Sequence, residues 1–286
     1  IIYIKMIISQ RPINIRNILS SIKIKSQSIG FVPTMGALHP GHMALIDACK
    51  TKNDICVCSI FVNPTQFNNK QDFEKYPITL TRDIQMLEAA GCDILFIPGI
   101  LEIYPAGYIA PHYELDILET ILEGEFRPGH FQGVCQVVDR LLQIIAPNHL
   151  FLGQKDYQQC MVIKKLIELK SYPTRVITVP TIRENNKLAL SSRNMRLTDP
   201  EKKKAEEISE SLLTIKQEIK AGSLKELKMA MQHQLTKHGF MVDYVEIADA
   251  DTLESIDVWD GKKKLVALVA AYLGEVRLID NMLLNE

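Results

Sequence analysis

The sequence has little of what membrane, zinc-binding and disulfide-bonded proteins need. No Cys-x-x-Cys pair occurs among its six cysteines, and Cys56 and Cys58 lie two apart in an apolar run, where we predict that they share one buried face of a strand. No apolar run approaches the roughly 20 residues that span a bilayer. The opening run IIYIKMIISQRP is interrupted by Lys5 and has no small-residue cleavage site. We therefore expect a cytoplasmic protein without a membrane partner.

An excess of charge of either sign is also missing. The 33 lysines and arginines nearly balance 34 aspartates and glutamates, which leaves a net charge of -1. Such a chain has no overall field that would attract nucleic acid, so small molecules are the expected partners. With 286 residues, 47% of them hydrophobic, the chain is long enough for one large domain with a smaller companion.

Apolar runs rich in β-formers alternate with segments of helical period up to about Val179. Strands are predicted at 29–32, 55–62, 94–97, 150–152 and 175–179. Helices are predicted at 42–52, 81–90, 133–145 and 157–170. The strands are apolar on both faces, which is typical of a parallel sheet covered by helices on both sides. The pattern predicts an α/β fold with a doubly wound parallel sheet.

The pattern changes in the last third of the chain. A charged helix is predicted from Pro200 to Gly222 and a second one from Ser223 to His238. Three short strands follow in VDYVEIAD, KLVALVAAYL and EVRLID, and they predict a small antiparallel sheet.

This change predicts two domains with a hinge near residues 180–190. We expect residues 1–182 to form the ligand-binding domain around the parallel sheet. Residues 183–286 would form a smaller α+β domain.

The stretch FVPTMGALHPGH, residues 31–42, joins the end of a predicted strand to a helix. Ligands bind at that edge of an open α/β sheet, and backbone N–H groups at a helix start attract phosphate. Pro40 suits the first helical position, and Gly41 lets a ligand approach the backbone. His39 and His42 lie three apart and can donate to one anion. A structural histidine pair and a metal site stay open, although no third His or Cys stands nearby.

The HPGH motif resembles the HxGH signature of the nucleotidyltransferase superfamily, which includes the class I aminoacyl-tRNA synthetases. Six co-linear blocks extend the resemblance from residue 31, and RLIDN closes it at about residue 281. The blocks are PTMGALHPGH, IFVNPTQF, EGEFRPGHFQGV, FLGQKDYQQ, LALSSRN and VDYVEIADADTL. On these motifs the chain resembles the pantothenate synthetase family.

The resemblance implies a Rossmann-like fold and a reaction in two steps. Pantoate and ATP give pantoyl adenylate and pyrophosphate, after which β-alanine attacks the mixed anhydride and releases AMP. ATP is then a substrate, and Mg²⁺ accompanies its triphosphate. The family usually forms a homodimer through its N-terminal domain, and its C-terminal domain acts as a lid.

The resemblance also implies which residues bind the nucleotide. The ATP-binding residues would be Pro33, Thr34, Met35, His39, Gly41, His42, Gly153, Lys155, Asp156, Ser191, Ser192 and Arg193. The catalytic residues among them would be His39, His42, Lys155, Ser191, Ser192 and Arg193. Arg193 offers a planar fork for two phosphate oxygens within a mobile phosphate clamp. Without the resemblance, Lys155 is an ordinary solvated loop lysine, and the serines belong to a turn that caps a helix.

Pantoate would be held by amides and apolar groups. The residues implied by the resemblance are Met35, Asn63, Gln66, Val137, Val138 and Gln159. A glutamine amide offers both a donor and an acceptor to the hydroxyls of pantoate. Two alternatives stay open, because Val137 and Val138 fit a helix core and Asn63 before a proline is a turn former. Asp83 is a candidate Mg²⁺ ligand that can equally cap or solvate its helix.

The sequence departs from the family pattern at two places. Gln154 stands where the family commonly has Glu, which removes a charge next to Lys155. Asn186 and Lys187 stand where the family usually has Asp-Gly, so the geometry of the turn before LALSSRN is in question.

Two other functions remain compatible with the sequence. One is a different transferase of the same superfamily, such as a cytidylyltransferase or a truncated aminoacyl-tRNA synthetase. The balanced charge and the lack of an anticodon-reading extension disfavour the latter. The other is a nonenzymatic module that senses a nucleotide without turnover.

Overall fold

The computed structural model describes residues 6–285, and its contacts divide the chain into two compact units. The first unit runs to Gly153 and resumes from Gln159 to Pro180. The second unit holds Gln154–Gln158 and the chain from Thr181 onwards. The short segment Gln154–Gln158 therefore belongs to the second unit, although the chain on both sides of it belongs to the first.

A six-stranded sheet forms the centre of the first unit. Its strands are β1 (Ile7–Ser9), β2 (Ile29–Thr34), β3 (Ile55–Ile60), β4 (Ile94–Phe96), β5 (His149–Gly153) and β6 (Arg175–Val179). They lie in the order β1-β4-β3-β2-β5-β6, and each neighbouring pair is parallel. Because the order reverses direction at β2, this is the doubly wound, Rossmann-like α/β fold that the sequence predicted.

Helices cover both faces of this sheet. They are α1 (Pro12–Ile24), α2 (Pro40–Lys52), α3 (Lys70–Glu74), α4 (Leu80–Ala89), α5 (Ile100–Ile103), α6 (Glu123–Phe126), α7 (His130–Ile145) and α8 (Tyr157–Leu169). Successive strand residues point to opposite faces. Phe31 packs in one core cluster with residues of α1, α7 and α8, and Val32 packs in the other with residues of α2 and α4. Burial on both faces explains why the central strands β2 and β3 are continuous apolar runs.

The predicted strands and helices are present, with shifts of a few residues at their ends. Strand β3 stops at Ile60 because a 3₁₀ turn, Pro64–Gln66, begins shortly after it. Helix α7 starts at His130, earlier than predicted, because Gly129 adopts a left-handed φ of +76° just before it.

The sequence analysis missed β1 and α1 in the opening part of the chain. Strand β1 has only three residues, and its Ile7 and Ile8 are exposed at the sheet edge, so it carries no clear apolar pattern. The first part of the opening run, including Lys5, lies outside the described residues. Among residues 6–285, no helix combines the length and the apolar character needed to cross a membrane.

The cysteines are core residues, as the sequence analysis predicted. All six are free and buried. Cys56 and Cys58 are both fully buried and pack in the same cluster, on the face of the sheet covered by α2 and α4. Burial raises the pKa of the Cys58 thiol well above its ordinary value, so this thiol stays protonated and unreactive.

The second unit is built on a three-stranded antiparallel sheet, as predicted. Its strands are β8 (Met241–Asp249), β10 (Leu265–Leu273) and β11 (Val276–Leu283), with β10 in the middle. The helices are α9 (Asp199–Glu218) and α10 (Lys225–Lys237), and a small ladder pairs β7 (Gly222–Ser223) with β9 (Val258–Trp259).

The central strand β10 accounts for the most apolar run of this unit. All but one residue of β10 are buried, and Leu265, Val269 and Leu273 pack in the core with α9 and α10. This run is core.

Candidate active site

The loop between β2 and α2 turns sharply at Gly36 and Ala37, whose φ angles are +82° and +50°. Asp83 of α4, 1% exposed, fixes this turn. Its Oδ2 accepts the N–H of Ala37 and its Oδ1 that of Leu38, both at 2.9 Å, and the hydroxyl of Thr79 also donates to it at 2.9 Å. A Cβ at Gly36 would lie 3.1 Å from Oδ2 of Asp83, so both conformation and space favour glycine.

These contacts give Asp83 a structural role, and its candidacy as a magnesium ligand stays a prediction. Both of its oxygens accept backbone N–H groups in a buried position. Within the part of the chain that the structure describes, no group of three His, Cys, Asp or Glu side chains is placed to hold a metal ion. Asp83 shapes the loop leading to His39.

Two imidazoles cap the start of α2. Nδ1 of His39 accepts the N–H of Gly41 at 3.2 Å, and Nδ1 of His42 accepts the N–H of His39 at 3.3 Å. The ring centroids lie 4.0 Å apart. Because each Nδ1 accepts a hydrogen bond, each neutral ring carries its hydrogen on Nε2. The capping geometry therefore makes both rings donors at Nε2.

The expectation that backbone N–H groups at this helix start would hold a phosphate needs correction. The N–H of Gly41 donates to the His39 ring, and the N–H of His42 donates to the His39 carbonyl at 2.8 Å. Pro40, at the first helical position as predicted, has no N–H. The N–H groups of the two rings lie at Nε2, and these are the donors proposed to meet an anion.

The residues that precede the histidines lie at the carboxyl end of β2. Thr34 ends the strand, and its hydroxyl donates to the carbonyl of Ser59 on β3 at 2.8 Å. Pro33 and Thr34 pair in register with Ser59 and Ile60 of β3. Strands β2 and β3 thus end side by side, and the segments that follow them start at neighbouring points of the sheet edge.

Gln66 follows β3 at this edge, and both ends of its amide are fixed. Its Nε2 donates to Sδ of Met35 at 3.2 Å, and its Oε1 accepts from Nδ2 of Asn63 at 3.1 Å. Two of the predicted pantoate residues, Met35 and Gln66, are therefore in direct contact although 31 residues separate them.

Asn63 is 1% exposed and fixes the side chain of Gln66 through a hydrogen bond. Besides its bond to Gln66, its Nδ2 donates to the carbonyl of Gly133 at 3.1 Å. Its Oδ1 accepts from the hydroxyls of Tyr104 at 2.9 Å and Thr65 at 3.1 Å. Burial raises the pKa of Tyr104 to about 12, so this hydroxyl keeps its hydrogen. Asn63 is thus more than a turn former, because its amide orients the amide of Gln66.

Helix α7 approaches the 3₁₀ turn Pro64–Gln66 at a glycine. A Cβ on Gly133 would lie 2.3 Å from the Thr65 carbonyl oxygen, a distance that no side chain can occupy. From the same helix, His130, which is 4% exposed, donates from Nδ1 to the carbonyl of Gln66 at 2.7 Å. The backbone of Gln66 is therefore attached to α7, and its side chain is attached to Asn63.

The remaining residues predicted to bind pantoate differ in how far they are buried. Val137 and Val138, 7% and 5% exposed, belong to the core cluster between α7 and the sheet. The alternative interpretation of these valines as core residues therefore describes their packing. Gln159 is half-buried in the first turn of α8.

Lys155 and Asp156 lie in the second unit, in a 3₁₀ turn formed by Gln154–Asp156 between β5 and α8. The side chain of Lys155 is 17% exposed, and its Nζ lies 4.0 Å from Oδ1 of Asp156. Lys155 is thus largely buried rather than an ordinary solvated loop lysine. Gly153 ends β5 just before this turn.

A hairpin over residues 182–190 precedes the serine motif in the second unit. The N–H of Glu184 donates to the Leu188 carbonyl at 2.8 Å, and the N–H of Lys187 donates to the Glu184 carbonyl at 2.9 Å. Lys187 has a φ of +70°, and Asn186 Oδ1 accepts the N–H of Leu188 at 3.3 Å. The departure from Asp-Gly leaves the turn intact, but it places a lysine where the backbone favours glycine.

The serine motif itself forms a capped turn. Ser191 is extended, and its Oγ accepts the N–H of Arg193 at 3.2 Å at the start of the 3₁₀ segment Ser192–Arg196. Ser192 is 8% exposed. The interpretation of the serines as capping residues predicted this local structure. Contact of these residues with phosphate stays a prediction.

Several residues that organise these groups were missed from the sequence. Tyr104 and Gly133 support Asn63, His130 holds the backbone of Gln66, and Asp83 holds the turn at Ala37 and Leu38. His130 and Gly133 stood in the block EGEFRPGHFQGV, so a motif signal existed without a contact to explain it. Tyr104 lies 41 residues from Asn63 in a segment without a motif, and no local pattern connects the two.

Comparisons with known proteins agree with this architecture. The chain matches the model of the family described as pantoate-beta-alanine ligase over residues 7–283. A pantothenate synthetase of Cytophaga hutchinsonii is 46% identical over 271 residues, which cover 93% of this chain and 95% of that relative.

Solved structures give the same result. The crystal structure of pantothenate synthetase from Thermus thermophilus has a TM-score of 0.90 and 37% identity, and the match covers 98% of this chain and 100% of that one. The pantoate-beta-alanine ligase from Francisella tularensis, complexed with Beta-gamma ATP and β-alanine, has a TM-score of 0.80 and 42% identity, covering 97% of each chain. The chain belongs to the pantoate-beta-alanine ligase family.

Proposed function

We propose that this protein condenses pantoate with β-alanine in an ATP-dependent reaction that passes through pantoyl adenylate and releases AMP and pyrophosphate. One observation carries the proposal beyond family membership. Strands β2 and β3 end side by side, one followed by the paired imidazoles of His39 and His42 and the other by Gln66, whose amide is fixed against Met35. A donor pair for an anion and an oriented amide for a hydroxy acid thus follow neighbouring strands.

In the first step, a carboxylate oxygen of pantoate attacks the α-phosphorus of ATP, and the bond from that phosphorus to the bridging oxygen of pyrophosphate breaks. The carboxylate is already ionised, so the protein has to align it and to stabilise negative charge rather than remove a proton. His39 and His42 would donate from Nε2 to phosphate oxygens. The cations of the second unit, Lys155 and Arg193, would neutralise the triphosphate.

Pantoate is proposed to bind through its hydroxyls and its methyl groups. The amides of Gln66 and Gln159 would pair with the hydroxyls, since each amide offers a donor and an acceptor. Met35 would contact the methyl groups, together with Val137 and Val138 where their side chains border the core. Asn63 would act behind Gln66 rather than on the substrate, because its polar atoms are already engaged.

In the second step, the amine of β-alanine attacks the carbonyl carbon of pantoyl adenylate. The bond from that carbon to the phosphate oxygen breaks, and AMP leaves with the electron pair. The amine loses a proton as the amide forms. The groups that neutralise the phosphate in the first step also make AMP a better leaving group.

Further parts of the account are also proposals. We assign nucleotide and pantoate binding to a domain of residues 1–182 and the role of a lid to residues 183–286. The remaining ATP contacts proposed from the motifs are Pro33, Thr34, Gly41, Gly153, Asp156, Ser191 and Ser192. Asp83 stays a proposed ligand for the Mg²⁺ that accompanies ATP, beside the hydrogen bonds by which it holds the loop before His39. A homodimer and a cytoplasmic location stay predictions.

Isotope exchange tests the function directly. The purified protein is incubated with ATP and labelled pyrophosphate, with and without pantoate. Label entering ATP only when pantoate is present supports the synthetase. Exchange driven by an amino acid would contradict pantoate as the substrate. Absence of exchange with every acid tried would leave the nonenzymatic nucleotide sensor as the better description.

A further inference from the structure

The RLIDN motif, residues 277–281 within β11, contacts the turn that carries Lys155. Asn281, 3% exposed, donates from Nδ2 to the carbonyl of Gln154 at 2.9 Å and to the carbonyl of Lys155 at 2.8 Å. The two residues lie 126 positions apart in sequence and belong to the same unit. We propose that Asn281 is a positioning residue, which holds the backbone of Lys155 so that its ammonium group meets the nucleotide phosphates. This proposal rests on the proposed function.

Asn281 is well placed to hold this turn because it is itself held on several sides. Its N–H donates to Oδ1 of Asp280 at 2.8 Å, and its carbonyl accepts from Arg183 at 3.3 Å. Arg183 forms a two-pronged pair with the buried Asp280, with Nη1 to Oδ2 at 2.5 Å and Nη2 to Oδ1 at 3.0 Å. A bidentate pair of this kind fixes orientation as well as distance. Asn281 is also paired with Leu268 on the central strand β10.

The chemistry of the amide explains why asparagine stands at this position. Its NH₂ group has two hydrogens, and two successive carbonyls of the turn accept them. Its Oδ1 is buried and has no hydrogen-bond partner among residues 6–285. The donor half of the side chain is therefore the half that the structure uses. An aspartate has the same shape, but it would place a carboxylate oxygen against two carbonyl oxygens.

A second anchor holds the other end of the same segment. The hydroxyl of Tyr157 donates to the carbonyl of Ala250 at 2.7 Å. Gln154–Gln158 is thus attached to the second unit at both ends, which gives a physical reason why it is grouped with that unit. The lysine side chain has a flexible four-carbon stem, so a fixed backbone is needed to confine where its ammonium can lie.

Asn281→Asp is the informative variant, and Asn285→Asp is its matched control. Asn285 is also an asparagine next to β11, and its Nδ2 donates to the carbonyl of Lys263 at 2.8 Å, in a turn without a proposed catalytic residue. We expect Asn281→Asp to lower pantoate-dependent pyrophosphate exchange about 100-fold, as a displaced catalytic group does, whereas Asn285→Asp stays close to the parent.

A double-mutant cycle separates positioning from a general loss of structure. Lys155→Met is combined with Asn281→Asp, and exchange is measured for both single variants and the pair. If Asn281 acts through Lys155, adding Asn281→Asp to Lys155→Met changes the remaining rate little. Effects that multiply would show that Asn281 acts independently of Lys155, and they would overturn the proposal.

Two measurements keep the proposal testable if a variant is unstable or if the chain does not use pantoate. Asn281→Ala relieves the charge repulsion and should still lower exchange about tenfold, since the turn loses both hydrogen bonds. Calorimetric binding of a nonhydrolysable ATP analogue does not depend on pantoate chemistry, and Asn281→Asp should weaken it. An analogue affinity equal to the parent's would sink the positioning role, while a parent without pantoate-dependent exchange would sink only the proposed function.

Discussion

The backbone N–H of His39 donates to the ring Nδ1 of His42 at 3.3 Å, so the second imidazole caps the helix that the first one begins. One side chain thereby has two tasks, at two different nitrogens. Its Nδ1 stabilises the start of α2, and its Nε2 is proposed to donate to phosphate. These tasks can be separated by substitution.

His42→Asn should separate them, because an asparagine oxygen can replace Nδ1 as an acceptor but the side chain is too short to replace Nε2. We expect pyrophosphate exchange to fall about ten- to a hundredfold, the usual effect of losing one charge-assisted hydrogen bond, with nearly unchanged stability. His42→Ala should lose the same activity and about 1 kcal/mol of unfolding free energy, because it also removes the cap. Urea unfolding and exchange rates check both variants. An active His42→Asn variant would contradict the phosphate role.

Gly133→Ala tests the close approach of α7 to the turn that carries Gln66. Alanine usually stabilises a helix by about 1 kcal/mol relative to glycine. Here a Cβ would lie 2.3 Å from the Thr65 carbonyl oxygen, so the clash should outweigh that gain and displace the turn. We expect a raised KM for pantoate and a lower unfolding free energy. Gln136→Ala on the same helix is the control, and a Gly133→Ala variant that is more stable with parental kinetics would refute the packing argument.

Gln159→Ala tests the proposed pantoate amide in α8. Losing a neutral hydrogen bond to a hydroxyl should raise the KM for pantoate about five- to tenfold and change the KM for ATP much less. Gln232→Ala, on the exposed face of α10, is the control. Equal changes in both constants would argue that Gln159 supports the fold rather than the hydroxy acid.

Lys187→Gly should stabilise the second unit. Lys187 has a φ of +70°, which costs a side-chain-bearing residue about 1 kcal/mol, while glycine adds some entropy to the unfolded chain. We expect a net gain of about 0.5 kcal/mol in the free energy of unfolding. The lost ion pair with Glu210, at 3.6 Å and half exposed, contributes little. Lys187→Ala keeps the strained backbone and should show no gain, and equal stability of the two variants would exclude strain as the cause.

His149 should make stability depend on pH. Burial, followed by the charges of Lys52 and Arg175, lowers the pKa of His149 below its ordinary value of 6.5. Because the pKa of His149 is lowered in the folded protein, the contribution of the neutral ring to the free energy of unfolding is fully present above pH 6.5. This contribution is lost as the pH falls through the folded pKa. The stability difference between the parent and His149→Gln should therefore shrink below about pH 6.5. Urea unfolding over this range checks it, with His233→Gln on the exposed face of α10 as the control. A stability difference between the parent and His149→Gln that does not change with pH would contradict the lowered pKa of His149.

The features that could be predicted from the sequence are those that depend on short, local stretches of the chain. Buried strands such as β2 and β3 are continuous apolar runs, and the strand-to-helix junction at Pro40 is marked by local chemistry. The short edge strand β1 was missed because three residues with two exposed side chains form no pattern.

The supports of the candidate site were missed for a different reason. Asp83 contacts Ala37 across 46 positions, and Asn281 contacts Lys155 across 126. Such contacts depend on how elements pack, which no local period encodes. A polar residue that supports another residue therefore looks the same in the sequence as one that binds a ligand, and the loop contacts of Asp83 were missed for that reason.

The central claim is that the carboxylate of pantoate attacks the α-phosphorus of ATP before β-alanine takes part. A rapid-quench experiment with excess protein, ATP and pantoate, but no β-alanine, tests it by mass spectrometry of the quenched mixture. We expect pantoyl adenylate to form in an amount close to that of the protein, and to convert to pantothenate and AMP when β-alanine is added. Formation of ADP, or of AMP only when β-alanine is present from the start, would contradict the account.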